Sequence, residues 1–152
     1  VNQNPDESLP KIKQFLQENP DVAYLIGSSM GGFYVLCTEF EGRKIVINPL
    51  LQAPKVMRFA VGTHQWRGRR SDGATEFTFT IEDAERFNHY TPKDSPQTIC
   101  HYTEHDQVLG EWTKEYYPTF FAHCQMVAEL KGHFLSEEYI QHRLRDAMQI
   151  EL

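Results

Sequence analysis

The fold class is decided by the stretch VAYLIGSSMGGF, residues 22–33. Its first half, Val22–Ile26, is an almost continuous apolar run, which is typical of a strand buried on both faces of a parallel sheet. A turn rich in glycine and serine follows, and an apolar helix is predicted from Phe33 to Phe40, where Glu41-Gly42 ends it. A buried strand that turns directly into a helix indicates an α/β unit.

The same alternation of strand and helix continues on both sides of this stretch. Apolar residues at helical spacing predict a helix before Asn19-Pro20, and polar–apolar alternation marks residues 76–81. The sequence therefore predicts a single α/β domain over residues 1–152, a parallel sheet with helices on both faces. Further strands are predicted at Lys44–Ile47, Thr98–Thr103 and Gln125–Leu130, and helices at Glu82–Tyr90, at Glu111–His123 and after Ser136.

Composition excludes several classes of protein. The chain has 152 residues, 40% of them hydrophobic and 24% charged, which is ordinary for a globular domain and unlike a disordered or collagen-like chain. A formal net charge of −6 argues against general binding to nucleic acid or to anionic membranes. The longest apolar run is too short to span a bilayer. Three cysteines without CxxC spacing indicate reduced thiols, so we predict a cytoplasmic protein.

The motif that indicates chemistry is Gly27-Ser28-Ser29-Met30-Gly31, a GxSxG pentapeptide between a predicted strand and a predicted helix. This is where a nucleophile elbow lies, with its serine exposed on a strained turn between glycines that allow strand and helix to approach. The sequence thus predicts Ser29 as a nucleophile and the N–H of Met30 as an oxyanion donor. Two alternatives remain open, an anion-binding loop at the helix N-terminus and an inert turn.

A serine nucleophile needs a base and an acid that orients the base, and in sheets of this kind they follow in the order acid, then histidine. Asp106 comes just after the predicted strand Thr98–Thr103, and His133 comes just after the predicted strand Gln125–Leu130. Both therefore occupy the expected ends of strands. Glu104 is a rival for the acid, and a solvated loop residue is the alternative for each position.

Two other clusters favour different chemistry. His101-Tyr102-Thr103-Glu104-His105 matches the inverted zinc-protease pattern HxxEH, but that pattern requires a helix and this stretch is predicted as a strand end and loop. We therefore predict no metal site and no cofactor. Trp66-Arg67-Gly68-Arg69-Arg70 is either a small nucleic-acid patch or a loop that shapes the substrate site, and we favour Trp66 and Arg67 as substrate-binding residues.

Four segments together resemble the YqiA-like bacterial esterases, small members of the α/β-hydrolase superfamily. They are the GSSMGG elbow, Val46-Ile47-Asn48-Pro49, His105-Asp106-Gln107-Val108-Leu109 and Gly132-His133-Phe134, in the same order and at similar spacing. The resemblance covers roughly residues 5–145. It implies an α/β-hydrolase-like fold and a serine esterase or thioesterase for small acyl esters, with Ser29 as nucleophile, Asp106 as orienting acid and His133 as base.

One departure from this family affects the expectations. Its members begin with a strand that leads into a His-Gly-Phe-type loop, which supplies a second oxyanion donor, whereas this chain starts in the helix before the elbow strand. We therefore expect an N-terminally incomplete hydrolase, in which an oligomer partner or a missing N-terminal segment covers the edge of Val22–Ile26. The alternative function is a non-catalytic or truncated hydrolase-fold protein that binds a ligand or partner.

Overall fold

The computed structural model describes residues 2–65 and 73–149. Short 3₁₀ turns lie at Arg58–Ala60 and Phe87–His89, and a π-helical segment, Tyr139–Leu144, runs directly into the last helix. The elements are α1 Pro5–Glu18, β1 Tyr24–Ser28, α2 Met30–Cys37, β2 Arg43–Ile47, α3 Ala53–Met57, β3 Gly62–Gln65, β4 Glu76–Phe79, α4 Ile81–Arg86, β5 Thr98–Tyr102, α5 Thr113–Phe120, β6 Cys124–Met126 and α6 Arg145–Gln149.

Four of these strands form one parallel sheet, in the order β1-β2-β5-β6. The register pairs Ser28 with Ile47, and Ile47 with His101, so the carboxyl ends of neighbouring strands lie at the same edge of the sheet. The segments that follow these ends carry Ser29, Asp106 and His133. The remaining two strands, β3 and β4, form a separate antiparallel hairpin.

Helices cover both faces of the sheet, as the sequence predicts. On one face, Val46 and Cys100 pack in a buried cluster with Val35 of α2 and Tyr117 of α5. On the other face, the cluster contains Ile45, Ile47 and Ile99 together with Tyr139 and Ala147 from the C-terminal helical segment. This two-sided burial follows from the nearly unbroken apolar run in β2. A third cluster lies on the outer side of α2, where α1, α3 and α4 pack.

Several element bounds differ from the prediction. The helix after the elbow begins at Met30 and not at Phe33, because the turn needs only Ser29, so both following glycines lie inside the helix. The strand before it is Tyr24–Ser28, two residues later than predicted. The strand β6 is three residues long, because Val127–Leu130 leaves the ladder in a turn closed by a hydrogen bond from Leu130 N to Val127 O (3.1 Å).

None of the helices within residues 2–65 and 73–149 combines the length and the apolar character that crossing a membrane requires. Cys37, Cys100 and Cys124 are all free thiols.

Candidate active site

Ser29 lies on a strained turn between β1 and α2. Its backbone has φ 55° and ψ −120°, a conformation that costs a residue with a side chain of the order of 1–3 kcal/mol. The turn is tight enough that a Cβ atom on Gly27 would lie 2.3 Å from Gly31 O, and one on Gly32 would lie 2.8 Å from the Pro49 Cβ. The close approach therefore requires Gly27 and Gly32. A Cβ on Gly31 would meet nothing within 4 Å, so the second glycine of the motif lacks the packing role expected from the sequence.

The three residues predicted as nucleophile, base and acid lie in one hydrogen-bonded row. The Nε2 atom of His133 is 2.8 Å from the Ser29 Oγ, and its Nδ1 atom is 2.8 Å from the Asp106 Oδ2. His133 and Asp106 are buried, at 3% and 2% exposure, whereas Ser29 is partly exposed. In this arrangement His133 Nδ1–H donates to Asp106 and His133 Nε2 accepts from the serine hydroxyl, the order in which an imidazole removes a proton from a hydroxyl.

Backbone N–H groups in the turn after β5 hold the carboxylate of Asp106 in the orientation that this contact needs. Its Oδ1 atom accepts hydrogen bonds from the backbone N–H groups of Val108 (2.9 Å) and Leu109 (2.7 Å), so Oδ2 remains for the imidazole. Burial raises the pKa of the Asp106 carboxyl, but the hydrogen bonds from His133 and from these two N–H groups outweigh it and hold the pKa below its usual value. The acid is therefore ionised at neutral pH and sets the orientation of the ring.

Met30, the predicted oxyanion donor, is the first residue of α2. The first N–H groups of a helix have no partner inside the helix, and they lie at the positive end of its dipole. The Met30 N–H group is one of these first N–H groups, and Met30 follows Ser29 directly in the chain.

The rival residues lie elsewhere. Glu104 is exposed and contacts His105, which is itself 69% exposed. His101 is buried in β5, with its Nδ1 atom 2.8 Å from the hydroxyl of Tyr139. His101 and His105 therefore share no helix face, which contradicts the inverted zinc-protease pattern. Within the part of the chain that the structure describes, no group of three or more His, Cys, Asp or Glu side chains could hold a metal ion. Trp66 and Arg67 lie outside the described residues.

Two residues near the site escaped the sequence analysis as functional candidates. Asn48 donates from Nδ2 to the carbonyl oxygen of His133 (3.0 Å), and Gln107 accepts at Oε1 from the backbone N–H of His133 (3.0 Å). The one sequence signal for Asn48 is the Asn-Pro pair at the end of a strand, and the one signal for Gln107 is its position directly after Asp106. Contacts that span 85 and 26 positions in sequence leave no periodic pattern to read.

No protein-family model and no curated protein matches the chain. Among solved structures, it resembles a protein named as a hydrolase from Agrobacterium vitis S4, with TM-score 0.59, 16% identity, and coverage of 97% of this chain and 69% of that one. It also resembles the esterase domain of a Rhodothermus marinus protein, with TM-score 0.57, 19% identity, and coverage of 96% and 64%. A protein named as a lipase from Acinetobacter baumannii AYE gives TM-score 0.56, 12% identity, and coverage of 98% and 69%.

These likenesses show the fold. The chain has an α/β-hydrolase-like fold. It spans about two thirds of the length of the solved structures it matches.

Proposed function

We propose that this chain is a serine hydrolase that cleaves acyl esters or thioesters through an acyl-enzyme intermediate. The observation that carries the proposal is the row of hydrogen bonds from Ser29 Oγ to His133 Nε2 and from His133 Nδ1 to Asp106 Oδ2, each 2.8 Å long. These residues are 104 and 27 positions apart in sequence, and they meet in the order nucleophile, base, acid that covalent catalysis by a serine requires.

The proposed reaction has two halves. The Ser29 Oγ atom attacks the acyl carbonyl carbon while its proton passes to His133 Nε2, and the Met30 N–H group stabilises the oxyanion that forms. The imidazolium then gives this proton to the leaving alcohol or thiol, which departs as the C–O or C–S bond breaks. In the second half, water attacks the acyl carbonyl carbon while its proton passes to His133 Nε2. The imidazolium then returns a proton to Ser29 Oγ as the bond between the acyl carbon and Oγ breaks and the acid departs. Asp106 remains ionised throughout and holds the ring in the correct tautomer.

Two further considerations support this class of reaction. The matched structures are named as a hydrolase, an esterase domain and a lipase, and the four sequence segments quoted above resemble the YqiA-like esterases. The steps use only groups of the chain itself, so we propose no metal or cofactor. We also propose a reducing, cytoplasmic compartment, because the three cysteines are free thiols.

Labelling by a fluorophosphonate tests the nucleophile. Wild-type protein is expected to hydrolyse p-nitrophenyl esters and to bind the probe covalently at Ser29. Ser29→Ala should lose both reactions and keep the circular dichroism spectrum of the wild type. The matched control is Ser28→Ala, because Ser28 is the neighbouring residue at the end of β1 and should be dispensable for labelling.

Two results would contradict the proposal. Equal hydrolysis by Ser29→Ala would exclude Ser29 as the nucleophile. A folded wild-type protein that neither reacts with the probe nor turns over any ester would favour the alternative, a non-catalytic hydrolase-fold protein that binds a ligand or partner. A panel of esters and thioesters of increasing acyl length would then define the substrate class of an active protein.

A further inference from the structure

The side chain of Asn48 joins two loops that approach the site from different strands. Asn48 follows β2 and is fully buried. Its Oδ1 atom accepts a hydrogen bond from the backbone N–H of Thr103 (2.9 Å), at the start of the loop that leads to Asp106. Its Nδ2 atom donates to the carbonyl oxygens of Gly132 (3.3 Å) and His133 (3.0 Å). One amide group therefore contacts the loop of the acid and the backbone of the base.

Asparagine meets both the chemical and the conformational demands of this position. The site requires an acceptor that faces an N–H group and a donor with two hydrogens that faces two carbonyl oxygens, which a primary amide supplies and a carboxylate does not. The backbone of Asn48 also has φ 44°, in the left-handed region that asparagine tolerates better than most residues with a side chain. A buried amide with these three contacts holds both loops without leaving a polar atom unpaired.

The backbone around Asn48 is joined to the elbow and to β5 as well. The Ser29 N–H donates to Ile47 O (2.9 Å), and the Leu50 N–H donates to Ser29 O (3.0 Å). The Asn48 N–H donates to His101 O (3.0 Å) in β5. The segment from Ile47 to Leu50 thus bonds directly to the backbone of the nucleophile, while the Asn48 side chain bonds to the backbone of the base.

Gln107 contacts His133 as well, through the backbone N–H group of His133. It follows Asp106 directly and is exposed, and its Oε1 atom accepts the His133 N–H. The amide of Gln107 lies so close to Gly132 that a Cβ there would be 2.7 Å from Gln107 Oε1. The peptide groups on both sides of the His133 Cα atom are therefore fixed by side chains, the N–H by Gln107 and the C=O by Asn48.

We propose that Asn48 and Gln107 are positioning residues that clamp the backbone of His133 so that its ring spans the gap between Ser29 and Asp106. The expected effect on kcat rests on the proposed function, whereas the hydrogen bonds of Asn48 and Gln107 to His133 do not. A displacement of about 1 Å in a reacting group can cost about 10²-fold in rate, so loss of the clamp should reduce kcat and leave substrate binding intact.

The test compares four variants with the wild type in p-nitrophenyl ester hydrolysis. Asn48→Gly removes the side chain but allows the positive φ, and it should lower kcat about 10²-fold with KM changed less than about twofold. Gln107→Ala should lower kcat by a smaller factor, and Gln107→Glu, which retains an acceptor oxygen, should recover most of that loss. Tyr117→Phe is the structural control, because the buried Tyr117 OH donates to Pro49 O (2.8 Å), a hydrogen bond made to neither His133 nor Asp106. It should lower Tm and leave kcat unchanged.

A second measurement keeps the clamp testable whether or not the protein is active. The proton shared by His133 and Asp106 should give a strongly deshielded resonance in the wild-type proton NMR spectrum, which Asn48→Gly and Gln107→Ala should weaken or shift. If the wild type showed no hydrolysis and no labelling, the proposed function would fail. The resonance alone would then decide whether Asn48 and Gln107 hold the His133 ring against Asp106.

The proposal would be overturned if Asn48→Gly and Gln107→Ala kept both wild-type kcat and the wild-type resonance. It would also be overturned if Tyr117→Phe reduced kcat as much as Asn48→Gly, because the effect would then follow general stability. Since Gln107 is exposed, Gln107→Ala decides the matter even where Asn48→Gly does not fold.

Discussion

The carboxylate of Asp106 accepts three hydrogen bonds, two from backbone N–H groups and one from His133. Asp106→Asn would keep the shape of this side chain but would present an NH₂ group to His133 Nδ1. The ring would then carry its proton on Nε2, where it could no longer accept from Ser29. We expect kcat to fall about 10⁴-fold in ester hydrolysis with little change in fold.

The control for this prediction is Glu104→Gln. Glu104 is the rival acid from the sequence, and it is exposed beside His105. Its substitution should leave kcat unchanged. If Glu104→Gln were inactive and Asp106→Asn active, the acid would be assigned wrongly and the loop after β5 would have a different arrangement in solution.

His101 is a buried histidine that the proposed chemistry does not use. Burial, with a smaller contribution from Arg143, lowers its pKa from 6.5 to about 4, although Glu129 acts in the opposite direction. Between these pH values the unfolded chain binds a proton that the folded chain rejects. Stability due to this residue is therefore complete above pH 6.5 and is lost as the pH falls towards 4, by up to about 3 kcal/mol.

Urea unfolding near neutral pH and at about pH 5 measures this loss. His101→Asn removes the titrating group while retaining an acceptor for the Tyr139 hydroxyl, so the difference in unfolding free energy between the two pH values should shrink. His105→Asn, at an exposed position, should leave the difference unchanged. An unaltered pH dependence in His101→Asn would mean that other groups carry the acid sensitivity.

At the scale of elements, the strand–elbow–helix unit depends on two close approaches of backbone. A Cβ on Gly27 would lie 2.3 Å from Gly31 O and 2.8 Å from Gly32 N, and both of these are backbone atoms that cannot move aside cheaply. Gly27→Ala should therefore destabilise the protein by about 1–3 kcal/mol and slow labelling of Ser29.

Gly31→Ala is the matched control in the same motif. A Cβ there meets nothing within 4 Å, and alanine is a better helix former than glycine by about 0.5–1 kcal/mol. Its denaturation midpoint should equal or exceed that of the wild type. A larger loss in Gly31→Ala than in Gly27→Ala would show that the turn has a different backbone path.

The unit that carries Ser29 illustrates what the sequence could predict. An apolar run followed by GxSxG identified the strand, the turn and the helix, because the apolar pattern and the turn chemistry are both local there. The predicted burial of this strand on both faces is wrong, since β1 lies at the sheet edge and Ile26 is 42% exposed. Asp106 and His133 could be named from chain order alone, since loops at strand ends converge in a parallel sheet. The predicted ends of the elements were less accurate. The strand β6 ends at Met126 and not at Leu130, because Val127 and Leu130 reach the core from a turn and so give the same apolar signal as a strand.

The parts that the sequence did not reveal depend on distant contacts. Asn48 has no local pattern beyond a polar residue before proline, and its partners lie 55 to 85 positions away. The strand β3 of the hairpin has no local signal either, since Gly62–Gln65 contains no apolar side chain that would mark a strand. Long-range pairing of this kind becomes visible only when the chain is folded.

At the scale of the whole molecule, β1 is an apolar strand at the edge of the sheet. Among residues 2–65 and 73–149 it hydrogen-bonds a strand on one side only. Because Ala23 and Ser29 bond towards β2, the alternation of a parallel ladder directs the N–H and C=O groups of Tyr24, Ile26 and Ser28 to the free side. Ile26 is 42% exposed and Phe15 of α1 is 56% exposed.

A groove of about 390 Å³ accompanies this edge. Its walls are mainly apolar and come from α1, β1 and α2, including Ile12, Phe15, Leu25 and Val35. Unpaired strand groups beside exposed apolar side chains form a template for another strand, which natural edge strands usually block with charge or short length. The opposite edge is β6, which is only three residues long.

We therefore expect the 152-residue chain, studied by itself, to associate through β1. Light scattering over a range of concentrations should show a molecular mass that rises above that of one chain. Ile26→Lys places a charge on the free edge and should shift this association to higher concentration, because pairing would bury an unpaired ammonium group. Its matched control is Met126→Lys on the opposite edge, where a residue 49% exposed receives the same charge without effect on association. The prediction would be wrong if the measured mass were that of one chain at every concentration. It would also be wrong if Met126→Lys shifted the association as much as Ile26→Lys, because β1 would then not be the associating surface.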